Sequence, residues 1–216
     1  VWENYKEALT GYNPHFGIYA RNTLFIEVLA VPGIVLTSSL AAYSFSRLRW
    51  PGRNLWFGLI LSTMMLPGAV TLVPTFIGWS ELGAVDTFVP LTLPAWFGGG
   101  AFNIFLLRQF MSAIPRELEE AALIDGAGFF RIYAQIILPL VMPALTVVTV
   151  FTFIGVWNDF MGPLIYLNSN DKFTIALGLS FFRTLHGTKW NLLMAASLAT
   201  MVPIIIVFVI FQKRII

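Results

Sequence analysis

"EEAALIDGAGFFRIYAQIILP", Glu119 to Pro139, decides how the rest of this 216-residue chain is to be understood. It opens on a helix-forming run with Glu119, Glu120 and Asp125, breaks at Gly126, and then turns aromatic and apolar. Such an acidic helix-turn-helix stands out, because the whole sequence is 57% hydrophobic and only 11% charged. Its mean hydropathy is +0.78. Soluble domains carry about 25% charged residues.

Working outward, the segment is flanked by apolar runs of membrane length. A hydrocarbon core of about 30 Å takes roughly 20 apolar residues in a helix. Five stretches qualify: Thr23 to Ser46, Leu55 to Trp79, Phe88 to Leu107, Ile136 to Trp157 and Asn191 to Phe211. A β-barrel would show segments of about ten residues alternating apolar and polar. Runs such as "MVPIIIVFVIF" are continuously apolar instead, and a helix satisfies its own backbone within lipid. The expected fold is therefore all-α, a polytopic transmembrane helical bundle. With no cysteine there is no disulfide, thiolate metal site or Cys nucleophile. A net charge of +2 gives no footprint for nucleic acid.

The basic residues act as topology signals. Arg47, Arg49, Arg53, Arg108, Arg116, Arg131, Lys213 and Arg214 all fall on one side of the five spans, and Glu81 and Asp86 on the other. By the positive-inside bias the basic side faces the cytoplasm. Trp50, Trp56, Trp79, Trp157 and Trp190 sit near span ends, as an aromatic belt would place them. The chain then starts outside, at Val1 rather than Met, with no preceding hydrophobic segment. The expectation is one transmembrane domain over 1–216 whose first helix and C-terminal tail are missing.

Arg108 to Gln135 is the longest segment on the basic side. Pro115 suits the first turn of a helix, and Glu117 is favoured beside that N-terminus. Leu118, Ala121 and Ala122 share one small apolar face, and Gly126 is placed to end the helix in a left-handed conformation. A second helix from about Gly128 would carry Phe129, Tyr133, Ile136 and Ile137 on one stripe and lead into the fourth span. Helix physics alone fits a plain connecting loop equally well.

Spacing adds a resemblance. Glu120-Ala121-Ala122, three residues, Gly126, nine residues, Ile136, one residue and Leu138-Pro139 resembles the EAA loop of ABC-importer permeases. The surrounding "RQFMSAIPRELEEAALIDGAGFFRIYAQIILPLVMPAL" is similar to the carbohydrate, maltose-type branch. So are "NTLFIEVLAVPGIVLTSSLAAYSFSRLRWPGR", "MMLPGAVTLVPTF", "WNDFMGPLIYL" and "MAASLATMVPIIIVFVIFQK", so the likeness covers essentially the whole chain. The pattern resembles the smaller, six-helix permease of a pair, here with five spans.

The resemblance implies a type I ABC-importer permease fold in the bacterial or archaeal cytoplasmic membrane. It implies that the loop is a cytoplasmic coupling helix seated in an ATPase cleft, with Glu120, Ala121, Ala122, Asp125 and Gly126 as the docking core. Implied partners are a second permease, an ATPase dimer that binds ATP and Mg, an extracytoplasmic substrate-binding protein, membrane lipid and a sugar substrate. The cargo in this branch extends to polyols and phosphorylated glycerol derivatives.

The chain shows no G-x-x-x-x-G-K-[ST] phosphate loop and no H-E-x-x-H helix. His15 and His186 are its two histidines and lie far apart. No cofactor is expected in the chain itself. Glu27 is the one charge that clearly enters a span; it is a functional candidate, or it snorkels to the outer interface. Trp157, Asn158 and Asp159, at the outer end of the fourth span, are side chains of the kind that hold sugars. Asn103, beside Gly98-Gly99-Gly100, would line a polar path. Plain alternatives are an interfacial anchor for Trp157 and an interhelical hydrogen bond for Asn103. A rival class is an ion-coupled secondary transporter, which has no need of an ATPase-docking loop and would bury more ionisable groups.

Overall fold

One long helix carries the architecture. In the computed structural model, which describes residues 2–11, 16–184 and 187–214, α2 runs Phe16–Arg47. Its stretch from Val28 to Ser46 has no charged residue. Its hydroxyls fold back on carbonyls a turn earlier: Thr23 donates to Tyr19 O at 2.9 Å and Thr37 to Gly33 O at 2.7 Å. That keeps polar side chains satisfied where water is absent. Buried residues recur along its whole length, so α2 is the central post of the bundle.

The other elements follow in chain order. α1 (Trp2–Thr10) packs against the last helix. α3 (Arg53–Thr63) and α4 (Gly68–Glu81) form a corner of 97°. α5 (Val89–Thr92), a 3-10 turn (Leu93–Trp96) and α6 (Ala101–Ala113) make the third crossing. α7 (Glu117–Ile124), α8 (Phe129–Ile132), a π-turn (Tyr133–Ile137) and α9 (Leu138–Leu140) make up the acidic segment and its exit. α10 (Met142–Trp157), α11 (Met161–Tyr166), α12 (Ile175–Leu179), a two-residue hairpin (Arg183–Thr184 with Gly187–Thr188) and α13 (Trp190–Phe211) complete the chain. Phe16–Arg47, Val89–Ala113 and Trp190–Phe211 are each long and apolar enough to cross a membrane, and the two bent helix pairs bring the crossings to five.

Three spans are less regular than the apolar runs suggest. The second breaks between Thr63 and Gly68, where Pro67 holds extended backbone (φ −61, ψ 132) at the cap of α4. The third breaks at the triple glycine: Gly99 and Gly100 have φ +56 and +82. A Cβ on Gly99 would lie 2.5 Å from the backbone N of Ser38, so only glycine lets this break sit against α2. The fourth is not continuous from Ile136: a bend of 79° separates Phe129–Leu140 from Met142–Trp157. Pro143 sits in the first turn of α10 and Pro139 follows the π-turn, two residues that cannot donate to a helical ladder.

The core divides into two main clusters along α2. One, at the Arg47 end, gathers Ala42, Tyr43, Leu107, Met111, Tyr133 and Ile137. The other, at the Phe16 end, gathers Phe16, Tyr19, Trp157, Phe182, Leu192 and Ala196. In contrast, α3 and α4 bury none of their residues.

Two sequence expectations change here. Trp157 is no interfacial anchor: it is 2% exposed, stacked on Phe153, with its Nε1 donating to Thr200 O at 3.1 Å. Glu27 does not snorkel, because α2 begins at Phe16 and buries Glu27 to 3% exposure within the bundle. His15 and His186 lie outside the described residues.

Candidate functional site

α7 stands at the Arg47 end of the bundle. Its acids fall in the first turn, where the helix dipole favours them. It ends in a complete Schellman motif. The Ala127 N–H donates to Ala122 O at 2.9 Å and that of Gly126 to Leu123 O at 3.0 Å, with Gly126 at φ +81. The left-handed stop expected of Gly126 is what the backbone shows. A Cβ there meets nothing within 4 Å, so the requirement is the backbone angle.

The predicted docking residues divide into two groups. Glu120, Ala121, Asp125 and Gly126 are exposed together on one side of the helix and its cap. Ala122 is not with them: it is 8% exposed and packs into the cluster with Ala42, Tyr43 and Leu107. Of the small apolar face expected on α7, Ala122 alone turns into the bundle, while Leu118 and Ala121 stay exposed. Beyond the cap, Ile132, Tyr133 and Ile137 point inward, while Phe129 and Phe130 are 62% and 74% exposed. Phe129 therefore leaves the inward stripe that periodicity assigned it; it stands at the first residue of α8, where its carbonyl rather than its ring meets the bundle, at Tyr43 OH. Ile124 at 87% exposure joins these rings in an apolar crest around the turn.

Under α7 lies a buried charge. Arg47, the last residue of α2, is 7% exposed. Its Nε stands 3.2 Å from Glu119 Oε1, an ion pair without hydrogen-bond alignment. Its Nη2 donates to Met111 O and to Ile114 O, the latter at 2.6 Å. These carbonyls close α6, where helix ends present unpaired acceptors. The sequence marks Arg47 only as a topology signal; no local pattern links it to Glu119, 72 residues further on.

The pathway candidates lie apart from one another. Asn103 is half-buried in the first turn of α6 and donates to Gly99 O at 3.0 Å. It lines a cavity of about 990 Å³ with Thr37, Thr63, Trp96 and the triple glycine. Asn158 donates to Ile154 O at 2.8 Å and finishes α10. Asp159 accepts the Gly162 N–H at 3.1 Å and starts α11. Trp157, Asn158 and Asp159 are thus held in helix ends and core, away from the cavity that Asn103 lines.

At the opposite end, Asp86 is a hub that sequence reading missed. Its carboxylate accepts from Ser169 Oγ at 2.5 Å, from Lys172 Nζ at 2.9 Å, and from the Asn168 and Ser169 N–H groups at 2.9 Å each. The Ser169 hydroxyl, then Lys172, then these backbone donors hold its carboxyl well below the usual carboxylate range. Asp86 takes φ 60, which Asp tolerates better than most residues.

A bundle of up to five spans, three of them broken, with a capped acidic helix-turn-helix at its basic end, fits a helical membrane permease of the importer type. The chain belongs to the family of binding-protein-dependent transport system inner membrane components, whose model matches residues 33–216. It is 35% identical to the arabinooligosaccharides transport system permease protein AraQ of Halalkalibacterium halodurans, over 89% of this chain and 68% of that one. It is 32% identical to the diacetylchitobiose uptake system permease protein NgcG of Streptomyces coelicolor, over 99% and 71%. With the sn-glycerol-3-phosphate transport system permease protein UgpE of Yersinia pestis it shares 36%, over 99% and 77%. A chain of a bacterial ABC transporter that imports the acidic polysaccharide alginate superposes with TM-score 0.84 at 26% identity, over 97% and 78%. A second alginate transporter chain, in complex with a periplasmic protein bound to an alginate pentasaccharide, has the same fold at 18% identity and TM-score 0.65.

Proposed function

We propose that this chain is one of two permease subunits of an ATP-driven importer for sugars or oligosaccharides in a bacterial or archaeal cytoplasmic membrane. The relatives' substrates support the cargo class: two carry oligosaccharides, and a third carries a phosphorylated glycerol. ATP and Mg belong to a partner ATPase, and cargo is handed over by an extracytoplasmic binding protein.

The observation that carries this reading is the exposed end of α7. Glu120, Ala121, Asp125 and Gly126 face outward beside an apolar crest, on a helix clamped from below by Arg47. Such a projecting helix suits a cleft in a cytoplasmic ATPase. ATP-driven closure of the ATPases then displaces α7, and the spans change their tilt between two states. The cavity beside Asn103 is this subunit's share of the path.

Gly126→Trp tests the docking. A Cβ at Gly126 meets no neighbour, while the left-handed backbone strains the cap by about 1–2 kcal/mol, so retained expression and membrane fold are checked alongside. Co-purification of the ATPase from detergent should be lost and uptake abolished. An attached ATPase with normal uptake would sink the docking proposal. An ion-coupled mechanism would instead show uptake that persists without the ATPase and collapses with the ion gradient.

A further inference from the structure

A polar stripe runs down the Arg47 half of α2. Ser39, Tyr43 and Arg47 are spaced four residues apart, so they stand one above another on one face. Each reaches a different part of the segment between α6 and α10. Ser39 Oγ lies 2.6 Å from Tyr133 OH, in the π-turn. Tyr43 OH donates to Phe129 O at 3.1 Å, at the start of α8. Arg47 pairs with Glu119 of α7 and donates to Ile114 O ahead of it. All three side chains are buried, and the Ser39–Tyr133 bond lies wholly inside the bundle, where water competes least. Tyr43 and Tyr133 also meet with ring centroids 5.2 Å apart.

The covalent route from α7 to the next span is less direct. It passes the turn at Gly126, the π-turn and the 79° bend before Met142. Three lateral bonds over about 12 Å of α2 bypass all of these joints.

We propose that Ser39, Tyr43 and Arg47 are positioning residues, a ladder that makes α2 and the acidic loop one mechanical body. Displacement of α7 then reaches the central post of the bundle directly. Because α2 packs on α6, α10 and α12, it distributes the movement to the cavity wall at Gly99 as well. This rests on the docking of α7 proposed above.

The test uses the assembled importer in liposomes, with substrate inside the binding protein. Tyr43→Phe combined with Arg47→Gln should keep the ATPase attached and hydrolysing while uptake per ATP falls at least fivefold. Arg47→Lys, which keeps the charge, should recover most of it. If the arginine variant does not fold, Ser39→Ala with Tyr43→Phe removes two rungs and no charge, and should lower uptake per ATP at least twofold. An unchanged ratio in the folded variants overturns the ladder.

A second arm uses the absence of cysteine in the chain. Arg49→Cys and Arg116→Cys face a common cavity of about 550 Å³ between α2 and α7. With cysteine-free partners, bridging them with a bifunctional thiol reagent should leave uptake unchanged, because the two helices move as one. Uptake stopped by the bridge, and not by the unbridged pair, overturns the proposal. Failure of the docking reading looks different: Gly126→Trp would then keep both attachment and uptake. Loss of attachment in that variant, with an unchanged ratio in the ladder variants, overturns the ladder alone.

Discussion

Glu27 and Arg47 are two buried ionisable residues on one helix, and their surroundings separate them. Arg47 has an acid and two carbonyls around its guanidinium. Neither carboxylate oxygen of Glu27 has a hydrogen-bond partner among the described residues. An ionisable group in a span costs about 2.5–3.5 kcal/mol on insertion scales, and a buried one without partners keeps that cost in the folded state. Replacing it with an apolar residue of similar size removes the penalty. Glu27→Leu is therefore expected to raise the thermal midpoint of the purified protein, by an amount corresponding to about 1–3 kcal/mol. Arg47→Leu should lower it, since it strands the Glu119 carboxylate and the carbonyls that close α6. A fluorescence melt in detergent reads both. A lowered midpoint for Glu27→Leu would show that its carboxyl group is held by interactions that stabilise the fold.

At the scale of elements, Asp86 joins the turn after α4 to the segment after α11. Asp86→Asn keeps a side chain that tolerates φ 60 and deletes the charge that Lys172 meets. Charge-assisted hydrogen bonds contribute about 1.5–3 kcal/mol each before solvent exposure discounts them, so a loss of about 1–2 kcal/mol is expected. The pH dependence follows from the lowered carboxyl pKa. A group depressed in the folded state stabilises fully above its unfolded value, about 3.9. That contribution is lost as pH falls from there through the folded value. The native protein's melting midpoint should drop between pH 5 and 3 by more than that of Asp86→Asn; equal slopes would remove the hub from the account.

Elements also mark how far the sequence could be followed. The apolar runs, the Gly126 stop and the acidic helix are local features of composition and backbone preference, and they recur in the fold, the second and fourth runs as bent helix pairs rather than continuous spans. The bend at Val141, the inward turn of Ala122 and the burial of Trp157 are set by what packs against them, whereas the triple glycine itself signals the break at Gly99 and Gly100. No local pattern records that Ser38 lies against Gly99 or that Thr200 O faces the indole. The proposed site divides the same way: Glu120, Ala121, Asp125 and Gly126 are picked out by spacing, whereas the contacts of Arg47, Tyr43 and Ser39 come from segments some 70 to 90 residues away.

On the scale of the whole molecule, the α3–α4 corner touches the bundle at its ends and projects between them. Arg108 lies over the Phe57 ring at 4.1 Å, and Tyr166 stacks on Phe76; between these ends, Met65 and Val70 are 83% and 63% exposed. The cavity beside Asn103 opens near this corner, with Ile60 and Thr63 in its wall. Apolar exposure alone would suit lipid, but a cavity that opens on the same side, read above as a share of the path, suits a second permease that closes it. Ile124, 87% exposed, projects at the other boundary, beside the cap of α7. The proposed assembly therefore assigns different neighbours to two similarly exposed apolar side chains. A photo-cross-linking amino acid at position 65 should capture the second permease and not the ATPase; at position 124 it should capture the ATPase and not the permease. Denaturing gels of the irradiated importer distinguish the adducts by mass. Adducts with the same subunit from both positions, or only lipid adducts at 65, would overturn the placement of the two partners around this chain.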